Sequence, residues 1–249
     1  TTSTGSAPHT PSCNLCSNAG AGVSIVSSAN FRQGVSRGAL ASVFPDPGQT
    51  FTDRTELSSL QPLPTSLAGV SVEANGQLCG LIAVTPGQLN ILLPANLPVG
   101  PLEVPITVNS TRGTATRFSG RAQVLPQSVG IFTRNATGEG VAAYVWLVVG
   151  VDGSQRYFNA DRLPAVAVSD LVFLVLFGTG IHADAGELRL GNGRTLSTVF
   201  VGDAIGFSGL NQINIRIPIA DLWSGRLGAT LRIFVPGGFY ESQGFELVR

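Results

Sequence analysis

A chain of 249 residues with 43% hydrophobic and only 12% charged residues, 31 Gly and 15 Pro, has the composition of a turn-rich β protein large enough for two cores. Its 15 basic and 15 acidic residues balance and form no run, which excludes the clustered cations that nucleic-acid phosphates or an anionic membrane surface require. The longest apolar run, Val141 to Val149, falls far short of the roughly 18 residues of a membrane helix.

Residues 1–22 are rich in Thr, Ser, Pro, Gly and Ala, with Leu15 as the single large aliphatic residue. Such a segment has too little apolar surface to fold alone and reads as an extended N-terminal tail. From Val23 the pattern turns to β. Val23 to Ser28 and Ala39 to Phe44 read as short strands, and Pro45-Asp46-Pro47-Gly48 opens an irregular loop that lasts to Pro64. Leu67 to Ala74 then alternates apolar and polar residues, Asn75-Gly76 supplies the two positive-φ positions of a type I′ turn, and Gln77 to Val84 returns. Gln88 to Leu93, Leu102 to Val108 and Thr114 to Val124 complete one sandwich. Leu125 to Gly130 lacks periodicity and reads as the domain junction.

The second half follows the same grammar. Val141 to Val149, a turn at Asp152-Gly153 and the apolar run Leu171 to Phe177 come first. Glu187 to Leu190, Gly191-Asn192-Gly193 and Thr195 to Val201 form a second hairpin. Gln212 to Ile217, Leu227 to Val235 and Phe239 to Val248 follow. The clearest internal echo is Gln-Leu-Asn-Ile-Leu-Leu-Pro at 88–94 against Gln-Ile-Asn-Ile-Arg-Ile-Pro at 212–218, half a chain later. The organisation predicted is therefore a tail at 1–22 and two β-sandwiches at 23–127 and 128–249, with no helical periodicity anywhere. In each echo the Asn, Asn90 or Asn214, is expected to tie down the backbone of an adjacent loop.

Candidate chemistry is sparse. Cys13 and Cys16 in Ser-Cys-Asn-Leu-Cys-Ser invite a disulfide, free thiols or, with His9 and Cys79, a metal site, and Cys79 is placed in a strand. A haem site is excluded because Ser17 follows Cys16, and a thioredoxin-like site lacks its βαβ context. His9 and His182 are the two histidines, and no Gly-x-Ser-x-Gly elbow accompanies either. Asp184 and Glu187 lie outside any calcium-loop pattern. Tyr144, Trp146, Tyr157, Trp223 and Tyr240 offer faces for packing or sugar stacking, with Trp223 in a turn-like segment as the best glycan candidate. Asn109 and Asn135 open glycosylation triplets. No catalytic residue, cofactor or metal is expected.

The set formed by Leu-Pro-Thr-Ser-Leu-Ala-Gly-Val-Ser-Val (63–72), Val-Thr-Pro-Gly-Gln-Leu-Asn (84–90), Gly-Ile-Phe-Thr (130–133), Phe-Gly-Thr-Gly (177–180) and Gly-Leu-Asn-Gln-Ile-Asn-Ile-Arg-Ile-Pro (209–218) resembles a family of tandem immunoglobulin-like domains of the IPT/TIG type. That family commonly ends large secreted bacterial proteins. The resemblance implies immunoglobulin-like sandwiches outside the cell and no catalytic residues. Residues 1–26 have no counterpart in the family pattern, and Pro45 stands where a Gly is usual.

With a Thr1 start and no Met, the chain reads as a secreted or cell-surface protein whose leader has been removed. The expected function is a non-enzymatic structural subunit that assembles into a filament or surface layer. Its tail would add a β-strand to a neighbouring copy, anchored by Val23, Ile25 and Val26 and locked by Cys13 and Cys16. The alternative is a monomeric module that binds a surface glycan or protein.

Overall fold

The two echoed strands fall inside two separate sandwiches, and each domain is built outward from its copy. The computed structural model describes residues 21–100, 103–111, 117–160, 162–163 and 165–248; it is all-β apart from one 3-10 turn at Ile219–Asp221. The first domain contains β1 (Ala21–Ser27), β2 (Val35–Ser36), β3 (Leu40–Pro45), β4 (Glu56–Leu57), β5 (Val70–Ala74), β6 (Gln77–Leu78), β7 (Gly80–Val84), β8 (Leu89–Leu92), β9 (Glu103–Ser110) and β10 (Arg117–Leu125). One layer runs β4-β7-β8-β3-β1 and the other β1-β10-β9-β5-β6. β1 belongs to both: Ala21 and Gly22 pair in parallel with β10, and Val23 to Ser27 pair antiparallel with β3. Inward residues of the two layers, among them Val43, Val72, Leu81, Leu89, Ile91 and Val108, close on Phe51 and Phe118, whose rings meet edge-on at 4.9 Å.

The second domain contains β11 (Gly130–Ile131), β12 (Tyr144–Val149), β13 (Gln155–Asn159), β14 (Leu171–Thr179), β15 (Gly186–Leu190), β16 (Thr195–Asp203), β17 (Asn211–Ile217), β18 (Arg226–Val235), β19 (Gly238–Glu241) and β20 (Phe245–Val248). The strand order is β13-β12-β14-β17-β16-β15-β18-β19, with β11 on β14 and β20 on β18. Its core is centred on Trp146, Leu174, Leu176, Ile213, Ile215 and Leu231, all fully buried.

The duplication extends to irregularities. β8 lies between β3 and β7, and β17 between β14 and β16; in both domains the incoming strand carries a register shift, at Leu81/Ala83 in β7 and Thr198/Phe200 in β16. Each Gln-x-Asn pair bonds within itself: Gln88 Nε2 donates to Asn90 Oδ1 at 2.7 Å and Gln212 Nε2 to Asn214 Oδ1 at 2.9 Å. The expectation that these Asn side chains hold loop backbone is therefore replaced by a same-face amide pair, because residues two apart on a strand project side by side. β12 corresponds to β1, since each pairs antiparallel with the strand before the echo and each follows a parallel contact with the last strand, Val141 with Glu246 and Ala21 with Phe118. β13 has no counterpart in the first domain.

Val23, Ile25 and Val26, expected to anchor a strand donated to another copy, are paired inside their own domain. Ile25 and Val26 are buried and Val23 packs on the core. Intrachain closure of the short 28–39 connection costs less entropy than association of two molecules, so the local sheet takes this strand first. The Phe239 to Val248 strand is split, because Ser242-Gln243-Gly244 turns away between β19 and β20. The tail, with His9, Cys13 and Cys16, lies outside the described residues.

Candidate functional site at the interdomain joint

The joint is formed by the ends of β1 and β3 from the first domain and by the ends of β11, β14 and the 203–211 connection from the second. Thr179, fully buried at the end of β14, accepts a hydrogen bond from the Leu40 backbone N–H (2.9 Å) and donates its own hydroxyl to the Gly209 carbonyl (2.7 Å). One hydroxyl thus ties β3 to two elements of the other domain. Ser128 donates from Oγ to the Gly34 carbonyl at 2.7 Å.

Two glutamine amides act as two-point clamps. Gln127 Nε2 donates to the His182 carbonyl (2.8 Å) and its Oε1 accepts the His182 N–H (2.7 Å). Gln243 does the same to Ile131, donating at 2.5 Å and accepting at 3.2 Å, while its Oε1 also accepts from Asn30 Nδ2 of the first domain at 3.4 Å. Both glutamines are about 95% buried or more, so each amide replaces water that the joint excludes. Gly138 has φ +79°, and a Cβ there would come within 2.6 Å of the Asn30 Cα; only glycine fits this crossing of two backbones.

His182 lies at the same joint. Its Nε2 is 3.2 Å from Ser36 Oγ, a pair 146 residues apart. Partial burial holds the imidazole below its ordinary pKa, and the nearby Arg37 charge lowers it further against the opposing charge of Asp203. The pair has the spacing of a serine–histidine dyad but not its access, because Ser36 is completely buried. It holds the joint instead. An open cleft of about 460 Å³ beside it is lined by Arg37, Leu78, Leu92, His182, Asp203 and Ser208. Ser208 Oγ spans the domains to Gln61 Oε1 at 3.0 Å.

The other sequence candidates separate. Trp223 is 9% exposed and its ring centroid is 5.5 Å from that of Trp146, so it belongs to the second core and presents no stacking face for a glycan. The 3-10 turn at 219–221 directs it inward, an effect its turn-like sequence did not reveal. Tyr144 and Trp146 are buried as well, with Trp146 Nε1 donating to the Ala160 carbonyl at 2.7 Å; Tyr157 is exposed on β13. Cys79 is buried and free, and desolvation pushes its thiol up to about 12. Asn109 is half-buried in a ladder paired on both sides, whereas Asn135 lies in an exposed turn where its Oδ1 accepts from the Thr137 N–H. Among the described residues no three His, Cys, Asp or Glu side chains gather as a metal site, and no helix is long and apolar enough to cross a membrane.

No family model matches this chain, and no curated protein matches it. Among solved structures it is similar to the C-terminal domain of the Streptococcus agalactiae AgI/II polypeptide BspA, at 10% identity over 92% of this chain and 99% of that one, with a TM-score of 0.19. A likeness at that level leaves the reading to the molecule's own geometry. Sequence reasoning missed Ser36, Gln127 and Gln243 as joint residues. Asn30, Ser128, Gly138 and Ser208 gave no signal either, whereas Gly130, Thr133, Thr179, Gly180 and Gly209 belong to the quoted motif set and crowd this junction.

Proposed function

We propose that this chain is a non-enzymatic extracellular structural subunit, kin to the IPT/TIG-type tandem domains, whose N-terminal segment joins it to a neighbouring copy. The observation that carries the reading is where that segment leaves the molecule. β1 ends at the joint, where a Cβ on Gly130 would approach Ser27 Oγ at 3.1 Å, and begins six residues away at Ala21. At about 3.3 Å per residue, Ala21, to which residues 1–20 are joined, lies roughly 20 Å along β1 from the joint, at the end of the strand away from it. Hydrogen bonds across the joint hold the two sandwiches together, so a heterologous contact made at this pole would repeat head to tail, as an open array where the rotation between copies closes no ring.

Light scattering and negative-stain microscopy of the full chain and of a chain lacking residues 1–20 test this reading. Concentration-dependent growth of the full chain, lost on deletion, is expected; a full chain that stays monomeric at high concentration defeats it.

A second reading is favoured by one surface feature. Ile205 is 97% exposed and Phe207 62% exposed in the connection beside the interdomain cleft, an apolar tip suited to recognition of a protein partner by a monomer. That reading predicts a monomer, with binding lost in Phe207→Ser.

A further inference from the structure

We infer that the outer edge of β13 is the acceptor for the Pro-free stretch Ser12 to Gly20 of a second copy. The inference rests on the assembly reading above and names its receiving surface. Four strands stand at the ends of the strand order: β4 and β6 in the first domain, each two residues long, and β13 and β19 in the second, five and four residues long. β19 carries a charged cross-strand contact, Arg232 over the Phe239 ring at 4.2 Å and paired with Glu241, and β13 has its own in Arg156 with Asp170, but β19 is the shorter of the two. β13 is the longest of these four and is exposed at every residue except Phe158, which is half-buried.

Its open groups follow from the ladder. The Gly150 N–H bonds the Ser154 carbonyl, and β12 and β13 then pair without a shift from Val149 with Gln155 to Val145 with Asn159. Alternation in an antiparallel pair turns Arg156 and Phe158 toward β12 and leaves the N–H and C=O of Gln155 and Tyr157, and the N–H of Asn159, facing outward. Among the described residues no strand covers them.

The donor is assigned to another molecule. Thr179 is at the joint, Val175 pairs with Val145 and that with Asn159, so the nearer end of β13 is four residues, about 13 Å, from the joint in the second domain. Ala21 is about 20 Å away on the other side. Pro8 and Pro11 lack N–H groups, which confines a donated strand to residues after Pro11, and from Ala21 back to Ser17 the chain spans only about 14 Å. Donor and acceptor therefore lie in different domains, on either side of the joint, as a head-to-tail contact requires. Among the described residues β13 is also a strand that the duplication does not repeat.

Sedimentation velocity on full-length chains tests this. Tyr157→Pro removes only an outward N–H, which an edge strand tolerates, and Tyr157→Lys keeps the backbone while adding a charge at the contact. Both are expected to weaken self-association at least tenfold with the circular-dichroism spectrum unchanged. Leu15→Pro blocks the donor, so mixing it with Tyr157→Pro is expected to give a 1:1 dimer and nothing larger. A wild type that assembles through residues 1–20 while both Tyr157 variants assemble equally well overturns the acceptor and leaves the assembly reading standing. A wild type that never assembles overturns both.

Discussion

The joint and the β13 edge handle the same groups in opposite ways. At the joint, backbone amides and carbonyls that lose water are met by side chains: Thr179 serves two, and Gln127 and Gln243 serve two each. Along β13 the outward amides of Gln155 and Tyr157 have no strand beside them among the described residues. A buried polar group without a partner costs about 1–3 kcal/mol, whereas an exposed one bonds water, so the first arrangement serves folding and the second keeps a surface ready for pairing. Substitutions that treat both regions alike should therefore give unequal results.

The largest effect is expected at Gly138. Its positive φ disfavours any side chain, and the obstructing atoms belong to the Asn30 backbone, which has no rotamer in which to yield. Gly138→Ala is expected to lower stability by about 2–4 kcal/mol, combining backbone strain with overpacking. Because the clash is between domains, calorimetry should resolve two transitions where the wild type gives one. A single transition at the wild-type temperature would mean that the domains are not coupled there.

Thr179→Val comes next. The shape is kept, but the Leu40 N–H and Gly209 carbonyl both lose their partner, at about 1–3 kcal/mol for each group left buried and unbonded. Denaturant unfolding measures it, and Thr179→Ser, which restores the hydroxyl, should recover most of the loss.

How these regions appear in the sequence follows from their chemistry. The core strands were legible because one face of each is buried: Val70, Val72 and Ala74, or Ile213, Ile215 and Ile217, alternate with less buried neighbours, and Asn75-Gly76 turns at φ 51° and 75° as its type I′ hairpin requires. The glycines and threonines of the joint stood out as motifs, but their role did not, because Thr179 meets Leu40 across 139 residues. β13 gave no signal. Gln-Arg-Tyr-Phe-Asn is exposed but for the half-buried Phe158, so no hydrophobic alternation marks it, and its strand character comes from pairing with β12. Trp223 misled for the reverse reason: its neighbours Asp221, Ser224 and Gly225 read as surface, while the 3-10 turn before it faces the core.

A smaller effect separates joint from edge by pH. The folded state holds His182 below the ordinary histidine value of 6.5, so between its folded pKa and 6.5 the unfolded chain binds more protons. Stability is then full above pH 6.5 and declines as the pH falls below it. Melting temperatures of the wild type from pH 7.5 to 5 should fall along this slope, with His182→Gln flatter over the same window. A wild type and variant that decline in parallel would show that His182 is not the titrating group.

The smallest effect is expected where the contrast is sharpest. In the isolated monomer, Tyr157 lies 61% exposed with its phenol donating to Gln155 Oε1 at 3.1 Å and its backbone amide turned to water, so Tyr157→Lys removes little that folding uses. A surface change of this kind shifts stability by about 0.5 kcal/mol or less. Urea unfolding at low protein concentration, where copies are apart, measures the monomer alone. A loss there comparable to that of Thr179→Val would mean that the β13 edge is a folding element like the joint, and the division between a sealed region and an open one would fail.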